Sequence, residues 1–448
     1  MKVGLKWKVA FAIIAIVAVA GLFWKPVIDI PNTGQFLNED NIVNSDVAWI
    51  LAAAGLVLLM TPGLSFFYGG MVGNRNIIST MLQSFIALGV ISILWVVVGF
   101  SLSFGESIGF TINGIHYGII GNPLSYPFFN HVGAFPHKQM ASTIPFILFA
   151  LFQMKFAVIT PALVTGSFAE RVRFISYLLF MVLFSLIIYS PLCHMVWHPD
   201  GLLNKYFGVK DFAGGTVVHM SAGFAALAGA LVIGKRKNRD HKPANIPFVL
   251  LGTGMLWFGW FGFNAGSALS ANSTAALAFG TTTIASAAGM MTWIFFDRLN
   301  GRPVSAMGAC IGAVVGLVAI TPACGFVSIP ESIFFGFITA IVSNTMMHWK
   351  VLKRIDDTLD VFACHGVGGI MGMILTAIFA HGEKASLLHG GFDVFGHHMI
   401  ALLLVSIFTF FGAIVLFYMT DKMIHLRVSD KAEEEGLDIS QHQESMDW

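Results

Sequence analysis

Two histidines stand in matching polar patterns inside apolar sequence. Asp211 lies eight residues before His219 in DFAGGTVVH, and Asp357 lies eight residues before His365 in DDTLDVFACH. Carboxylates and imidazoles are costly inside a membrane helix, so they are candidate functional groups there. Small residues follow each histidine three and four positions later, namely Ala222 and Gly223, then Gly368 and Gly369. The repetition predicts that the two histidines meet in one site.

Burial would set the charge of this histidine pair. A buried imidazole disfavours its charged form, and two neighbouring imidazoles cannot both carry charge at low cost. We therefore expect His219 and His365 as a neutral pair or as a pair that shares one extra proton. Either state suits a proton relay or hydrogen bonding with a small neutral molecule, and neither suits a permanent cation site.

A second histidine pair, His194 and His198 in CHMVWH, lies at i and i+4 on one helix face. The motif lacks the glutamate of H-E-x-x-H, which disfavours a zinc hydrolase. These histidines are expected near the outer membrane interface, beside Trp197. Since no G-x-S-x-G elbow or phosphate-binding loop occurs either, the sequence predicts a protein that is not an enzyme and that holds no metal or cofactor.

Composition gives the class of protein. The 448 residues are 56% hydrophobic and only 11% charged, and the mean hydropathy is +0.77. These values indicate a polytopic membrane protein, and a net charge of +1 gives no sign of nucleic-acid binding. The four cysteines are expected as small core residues without a disulfide framework; they are Cys193, Cys310, Cys324 and Cys364.

The predicted fold is all-α, with eleven apolar segments near the 20 residues that a spanning helix needs. The approximate spans are 47–70, 78–103, 142–166, 175–198, 213–234, 246–267, 276–296, 304–322, 331–349, 362–381 and 398–424. Helices 1–5 (about 47–234) and helices 6–10 (about 246–381) would enter the membrane from opposite sides. They would therefore form an inverted 5+5 repeat, with the substrate path at the interface between the two halves. Helix 11 lies outside this symmetry.

The chain ends are predicted from charge and small residues. Residues 1–20 have the basic start, apolar run and Ala18-Val19-Ala20 of a signal peptide; the alternative is a short anchor that stays attached. Residues 21–45 would be an external segment, 46–424 the membrane domain and 425–448 a cytoplasmic tail. Alternate loops carry sixteen and five basic residues, which places the N-terminus outside and the C-terminus inside. The larger set includes Arg239, Lys350 and Lys353, and the smaller includes Lys25.

The aspartates and aromatic residues suggest how a cation could be recognised. Asp211 directly precedes a helix and is expected to cap it, while its charge near the external mouth would favour an arriving cation. Asp357 and Asp360 are expected in capping or ion pairs at the cytoplasmic side. Aromatic faces attract desolvated cations, but lipid contact is the alternative. Spacing does not choose among Phe152, Phe156, Trp197, Trp257, Trp260 and Phe263.

Several motifs resemble the ammonium transporter family (Amt, Mep and Rhesus proteins), in its bacterial Amt form. They are MTPGLSFFYGGMV, FQMKFAVITPALVTGSFAERVRF, HMVW, DFAGGTVVHMSAGFAALAGALVIGKR, WFGWFGFNAGSA and DDTLDVFACHGVGGIMG, in the expected order over residues 46–445. The resemblance implies eleven helices, an external N-terminus and inverted repeats, in agreement with the spans above. It also implies a homotrimer with one path per subunit, in the inner membrane of a bacterium.

The resemblance also assigns roles to residues. Trp197, Ser267 and Phe156 would form an external ammonium site, because rings attract the cation and a serine oxygen accepts an N–H that potassium lacks. Phe156 and Phe263 would be a gate, with Phe152 and Trp260 nearby along the pore. His219 and His365 would be the twin histidines of the lumen. Ammonium, with methylammonium as an analogue, would lose its waters and proton so that ammonia crosses while the proton travels separately.

Two residues depart from the family pattern. Lys155 directly precedes Phe156 in the third helix, where a charge facing the pore would oppose cation entry. Successive helical residues point about 100° apart, so Lys155 is expected to face a subunit contact or to snorkel. Gln443 stands where the C-terminal motif usually has glycine. That motif implies a tail on the cytoplasmic face that contacts a PII-type signal protein.

Two other functions compete with transport. An ammonium sensor is disfavoured because the chain shows no appended signalling domain. A Rhesus-like channel for ammonia or carbon dioxide is disfavoured because Trp197 and Ser267 preserve a cation-recognition site.

Overall fold

The computed structural model describes residues 4–24, 34–237, 242–349 and 354–446. Parts of the predicted signal peptide, external segment and tail lie outside these ranges. So do Lys25, Arg239, Lys350 and Lys353, which entered the prediction of orientation. The description below concerns the described residues alone.

Helices make up nearly all of the described structure. The long helices are α1 (Leu5–Phe23), α2 (Asn44–Met71), α3 (Ile77–Phe104), α4 (Phe146–Phe168), α5 (Phe174–Trp197), α6 (Gly215–Ile233) and α7 (Ile246–Gly266). They continue with α8 (Ser273–Leu299), α9 (Ala306–Ile320), α10 (Ile329–His348), α11 (Phe362–Phe379) and α12 (Phe392–Met423). A short α13 (Asp430–Glu435) lies in the tail. Strands β1 (Ser107–Ile112) and β2 (Ile115–Gly121) form one antiparallel hairpin between α3 and α4.

Ten helices within the described ranges are long and apolar enough to cross a membrane, which makes the chain a multi-pass membrane protein. Nine of them coincide with predicted spans, and the tenth is α1. The predicted spans 276–296 and 304–322 coincide with α8 and α9. Helix α9 has only 15 residues, and α8 is not among the ten. The count of eleven spans therefore stays a prediction.

Helix α1 bears on the signal-peptide prediction. It continues through Ala18-Val19-Ala20, and none of its residues is buried. A helix without buried residues fits both a cleaved signal peptide and an anchor that stays attached. Both interpretations stay open.

Helices α2 and α7 pack closely because glycines on α7 leave room for the α2 backbone. A Cβ at Gly252 would overlap the backbone of Phe67, and one at Gly262 would overlap the carbonyl oxygen of Ala53. Small residues at such contacts are the usual way for membrane helices to approach each other. The packing fixes α7, the helix that ends just before Ser267.

The hairpin packs on the C-terminal end of α5, which is the predicted external end. The amide of Gly118 donates to the carbonyl of Asp200 at 2.7 Å. The hydroxyl of Ser107 lies 2.7 Å from Nε2 of His194 and 3.2 Å from Nδ1 of His198. The two imidazole rings stack with centroids 4.4 Å apart. The second histidine pair thus holds the hairpin on α5.

A charged cluster joins distant segments at the predicted cytoplasmic end. Arg236 binds Glu170 at 2.7 Å and Asp356 at 2.9 Å, and all three side chains are less than 10% exposed. The fully buried guanidinium of Arg171 donates to the carbonyl of Asp356 at 2.6 Å. Burial lowers the pKa of Arg171 to about 10. Burial raises the pKa of Asp356, but the hydrogen bonds from Arg236 outweigh burial and hold it below its usual value.

Candidate substrate path

The two histidines meet in the interior. Nδ1 of His219 lies 3.3 Å from Nδ1 of His365, and the rings stack with centroids 5.3 Å apart. The residues are 1% and 3% exposed. One Nδ1 must donate and the other accept, so the two neutral rings adopt different tautomers.

Each histidine belongs to a short π-helical segment. His219 lies in Gly215–Met220 and His365 in Phe362–Gly366. Such segments are rare and often mark functional sites, because the extra residue per turn redirects a side chain. The hydropathy of the sequence does not indicate these π-helical segments.

The small residues after the histidines let the two segments touch. A Cβ at Gly223 would overlap the backbone of Gly366. A Cβ at Gly369 would lie 3.0 Å from the carbonyl oxygen of Gly215. Each histidine-bearing helix therefore packs its glycine on the start of the other.

Asp211 forms the start of the first histidine segment. Its carboxylate accepts hydrogen bonds from the amides of Gly214, Gly215 and Thr216 at 2.7 to 2.8 Å, and from the hydroxyl of Thr216. Its backbone carbonyl accepts from Nε1 of Trp197 at 3.0 Å. One residue thus fixes both the helix of His219 and the indole of Trp197.

Aromatic rings lead from the predicted external side to the histidines. Phe156 contacts Trp197 at 5.7 Å and Phe263 at 4.2 Å between centroids. Phe263 lies 6.0 Å from His219, which also stacks on Trp260 at 5.3 Å. The rings form a continuous series from Trp197 to the histidine pair.

A vestibule of about 200 Å³ opens at the start of this series, on the predicted external side. Trp197, Phe156 and Ser267 all line it. The hydroxyl of Ser267 donates to the carbonyl of Phe263 at 2.8 Å, so its oxygen lone pairs remain available to accept. The vestibule therefore offers ring faces and a hydroxyl oxygen together.

A narrower, mainly apolar cavity follows beyond Phe263. The residues around it are Met60, Leu64, Phe67, Ile159, Leu163, Val218, His219, Leu256, Trp260, Phe263, Val314 and His365. The indole nitrogen of Trp260 donates to the hydroxyl of Thr321 at 2.9 Å and is thereby satisfied. The histidine rings are the polar groups of this lumen. Entry of a bare cation into such a lining costs a large desolvation free energy, whereas entry of a neutral molecule costs much less.

Two residues named from the sequence lie beside this path. Phe152 contacts the edge of Phe156 at 5.1 Å, but it lines neither the vestibule nor the lumen. Lys155 is half-buried on the same helical face as Ile147 and Leu151, and it also lines neither cavity.

Three residues near the vestibule were missed by sequence reasoning. Gln153 and Phe212 line the cavity. Asp46, at the start of α2, accepts from the amide of Ala271 at 2.8 Å and so holds the loop after Ser267. Of these three residues, only Gln153 has a signal in the sequence, because it lies one turn before Phe156 on the same helix.

The four cysteines are buried and free, as predicted. Among the described residues, no three or more His, Cys, Asp or Glu side chains gather into a group that could hold a metal ion. His219 and His365 thus have no third such ligand beside them.

Comparisons with known proteins agree with this arrangement. A model of the Ammonium Transporter Family matches residues 48–446. The ammonium transporter of Aquifex aeolicus is 39% identical over 423 residues, covering 93% of this chain and 97% of that protein. The solved structure of Saccharomyces cerevisiae Mep2 has a TM-score of 0.79 and 32% identity, covering 87% of this chain and 88% of that chain. A structure named Sensor Amt Protein has a TM-score of 0.80 and 30% identity, covering 90% and 100%. On matches of this length and identity, the chain belongs to the ammonium transporter family.

Proposed function

We propose that this protein carries ammonium across the membrane by binding the cation in the vestibule and conducting ammonia through the lumen. The faces of Trp197 and Phe156 attract the desolvated cation. The oxygen of Ser267 accepts one of its N–H bonds, which potassium cannot offer. Asp211 lies behind Trp197, and its negative charge adds to the attraction of the cation.

The gate and lumen then separate the two products of deprotonation. Ammonium gives ammonia and one proton at the vestibule, and the two recombine on the other side. Phe156 and Phe263 close the entrance. The apolar walls beyond them favour ammonia, because entry of the charged ammonium would cost more desolvation free energy. His219 and His365 hydrogen-bond ammonia and relay the proton, since their shared Nδ1 contact lets one ring donate while the other accepts.

The observation that carries this proposal is the unbroken series of rings from Trp197 to His365. Because these rings are in contact, they connect the recognition site with the histidine pair. The two sites are therefore parts of one path.

Flux through the purified protein in liposomes tests the proposal. The double variant His219→Ala/His365→Ala should lower ammonium flux about a hundredfold or more, the scale of a lost proton-transfer group. His348→Ala is the matched control, because that ring lies at the end of α10 and contacts the carbonyl of Asn344. Undiminished flux in the double variant, or strong competition by potassium, would contradict the scheme.

We also infer the assembly and its surroundings from the family. The protein would be a homotrimer of eleven-span subunits with inverted repeats, in a bacterial inner membrane. The N-terminus would be outside, after the predicted signal peptide, and the tail would be cytoplasmic.

A cytoplasmic cavity of about 690 Å³ between Arg75, Lys242 and Glu433 is the surface that a PII-type regulator would reach. Truncation after Arg427 should abolish regulation by such a protein in a flux assay.

An ammonium sensor is the second candidate, favoured by the likeness to the Sensor Amt Protein. A Rhesus-like channel is less favoured because Trp197 and Ser267 form a cation site. Flux of ammonium, methylammonium and potassium under a controlled membrane potential separates the three. A sensor would bind ammonium without flux, and a Rhesus-like channel would follow the concentration of ammonia alone.

A further inference from the structure

One buried side-chain atom on the vestibule wall has no hydrogen-bond partner among the described residues. Gln139, Gln153 and Ser267 are the polar side chains that line it, and Ser267 donates to Phe263. Oε1 of Gln153 is buried without a hydrogen-bond partner among the described residues. Buried polar atoms nearly always have a partner, so an unpartnered amide on a cavity wall points to a partner that enters the cavity.

The position of Gln153 suits a role beside the gate. It lies one turn before Phe156 on α4, and residues three apart share a helix face. Its terminal amide rotates about a soft torsion, so a half-turn exchanges the oxygen and the nitrogen. The oxygen can therefore face the vestibule when a cation is present.

The cation needs a second acceptor. Ammonium has four N–H bonds, and Ser267 can take one of them. Asp211 offers no free oxygen, because its carboxylate already accepts from Gly214, Gly215 and Thr216. Gln139 also lines the wall but is exposed, so the amide of Gln153 supplies the buried unpartnered side-chain oxygen there.

We propose that Gln153 is a second oxygen ligand of ammonium in the vestibule and a determinant of selectivity between ammonium and methylammonium. The inference rests on the proposed function, since it names a further ligand at the same site. Methylammonium has one N–H bond fewer and a methyl group to place, so it gains less from a second acceptor.

Isosteric removal of the amide tests this role. Gln153→Met keeps the volume and removes the acceptor. The KM for ammonium flux in liposomes should rise about tenfold, the effect of one hydrogen bond to a charged group. The KM for methylammonium should rise less, so the preference for ammonium should fall. A merely structural role would change both substrates equally.

Gln83→Met is the matched control. Gln83 is also a buried glutamine with an unpartnered Oε1, but it lies on α3 and does not line the vestibule. This variant should keep the wild-type KM for both substrates.

The outcomes separate the two claims. Absence of ammonium flux through the wild-type protein would overturn the proposed function. Wild-type flux together with an unchanged KM and preference in Gln153→Met would overturn only the role of Gln153. If Gln153→Met does not fold, Gln153→Glu decides, because a carboxylate acceptor should lower the KM for ammonium. An unchanged KM in Gln153→Glu would also overturn the role.

Discussion

At the residue scale, the two aspartates that match in sequence differ in their surroundings. The carboxylate of Asp211 is saturated by three amides and one hydroxyl. Asp357 accepts from the amide of Phe362 at 2.8 Å, while its Oδ1 is buried without a partner among the described residues. Both begin a histidine segment. In the proposed mechanism, Asp211 would therefore act on the cation through its position and charge, without offering it an oxygen.

Gln443 shows the cost of a departure from the family pattern. It has φ 58°, in the left-handed region, where a side chain costs about 1 kcal/mol or more. Nearby, the amide of Leu437 donates to Asn76 at 2.8 Å, and Asp438 accepts from the amide of Ser79 at 2.7 Å. These contacts dock the tail on the start of α3.

We therefore predict that Gln443→Gly strengthens tail docking by about 1 kcal/mol, because glycine adopts positive φ without strain. Slower hydrogen exchange over residues 430–446 would report the gain. Gln441→Gly is the control. It lies in the π-helical turn Asp438–His442 and should weaken docking, since glycine disfavours a helix interior. Equal effects of both substitutions would contradict the role of φ.

At the element scale, the meeting of α6 and α11 depends on glycine. We predict that Gly223→Ala pushes the two helices apart, because the new Cβ would overlap the backbone of Gly366. Overpacking costs about 1–3 kcal/mol, and the histidine pair would lose its contact. Ammonium flux should fall about a hundredfold or more, the scale of losing aligned proton-transfer groups.

Gly254→Ala is the matched control for this prediction. A Cβ at Gly254 on α7 would have no neighbour within 4 Å, so flux and the thermal midpoint should stay near wild type. Full flux in Gly223→Ala would show that the histidines work without close contact between their helices.

The contact of the β1–β2 hairpin with α5 should make stability depend on pH. Burial lowers the pKa of His198 to about 4, although Asp200 favours its charged form. An unfolded histidine binds its proton near pH 6.5. The stabilising contribution of His198 is therefore complete above pH 6.5 and is lost as pH falls toward 4. The loss is at most about 1.4 kcal/mol per pH unit.

We predict that His198→Asn flattens this dependence, because an asparagine oxygen can still accept from the amide of Asp200 but does not titrate. Thermal midpoints at pH 7.5 and 5 would show a smaller difference than in wild type. An unchanged difference would mean that other groups carry the acid sensitivity.

A helix or motif could be predicted from the sequence where its whole pattern lies within one chain segment. Nine spans coincide with apolar helices, and the matched motifs indicated that His219 and His365 belong together. Two features depend on distant segments and have no local signal. The contact of His194 with Ser107 spans 87 residues, and the exposure of Gln153 to the vestibule depends on how α4 rotates against its neighbours.

At the scale of the whole molecule, one charged cluster ties segments from both predicted halves. Arg236 follows α6, Glu170 follows α4, and Asp356 precedes α11. Because Asp356 lies six residues before Phe362, the cluster also anchors the segment that carries His365. Its stability should therefore affect both folding and transport.

We predict that Arg236→Met destabilises the protein by about 3–5 kcal/mol, because it removes the guanidinium that neutralises two buried carboxylates. Lys237→Met is the neighbouring control. Lys237 pairs with Asp430 at 2.8 Å, but both side chains are more than half exposed, and such a pair contributes little. Unfolding of both variants in the same detergent measures the difference. If the two lose equal stability, the buried cluster does not hold the halves together, and the position of His365 must depend on helix packing alone.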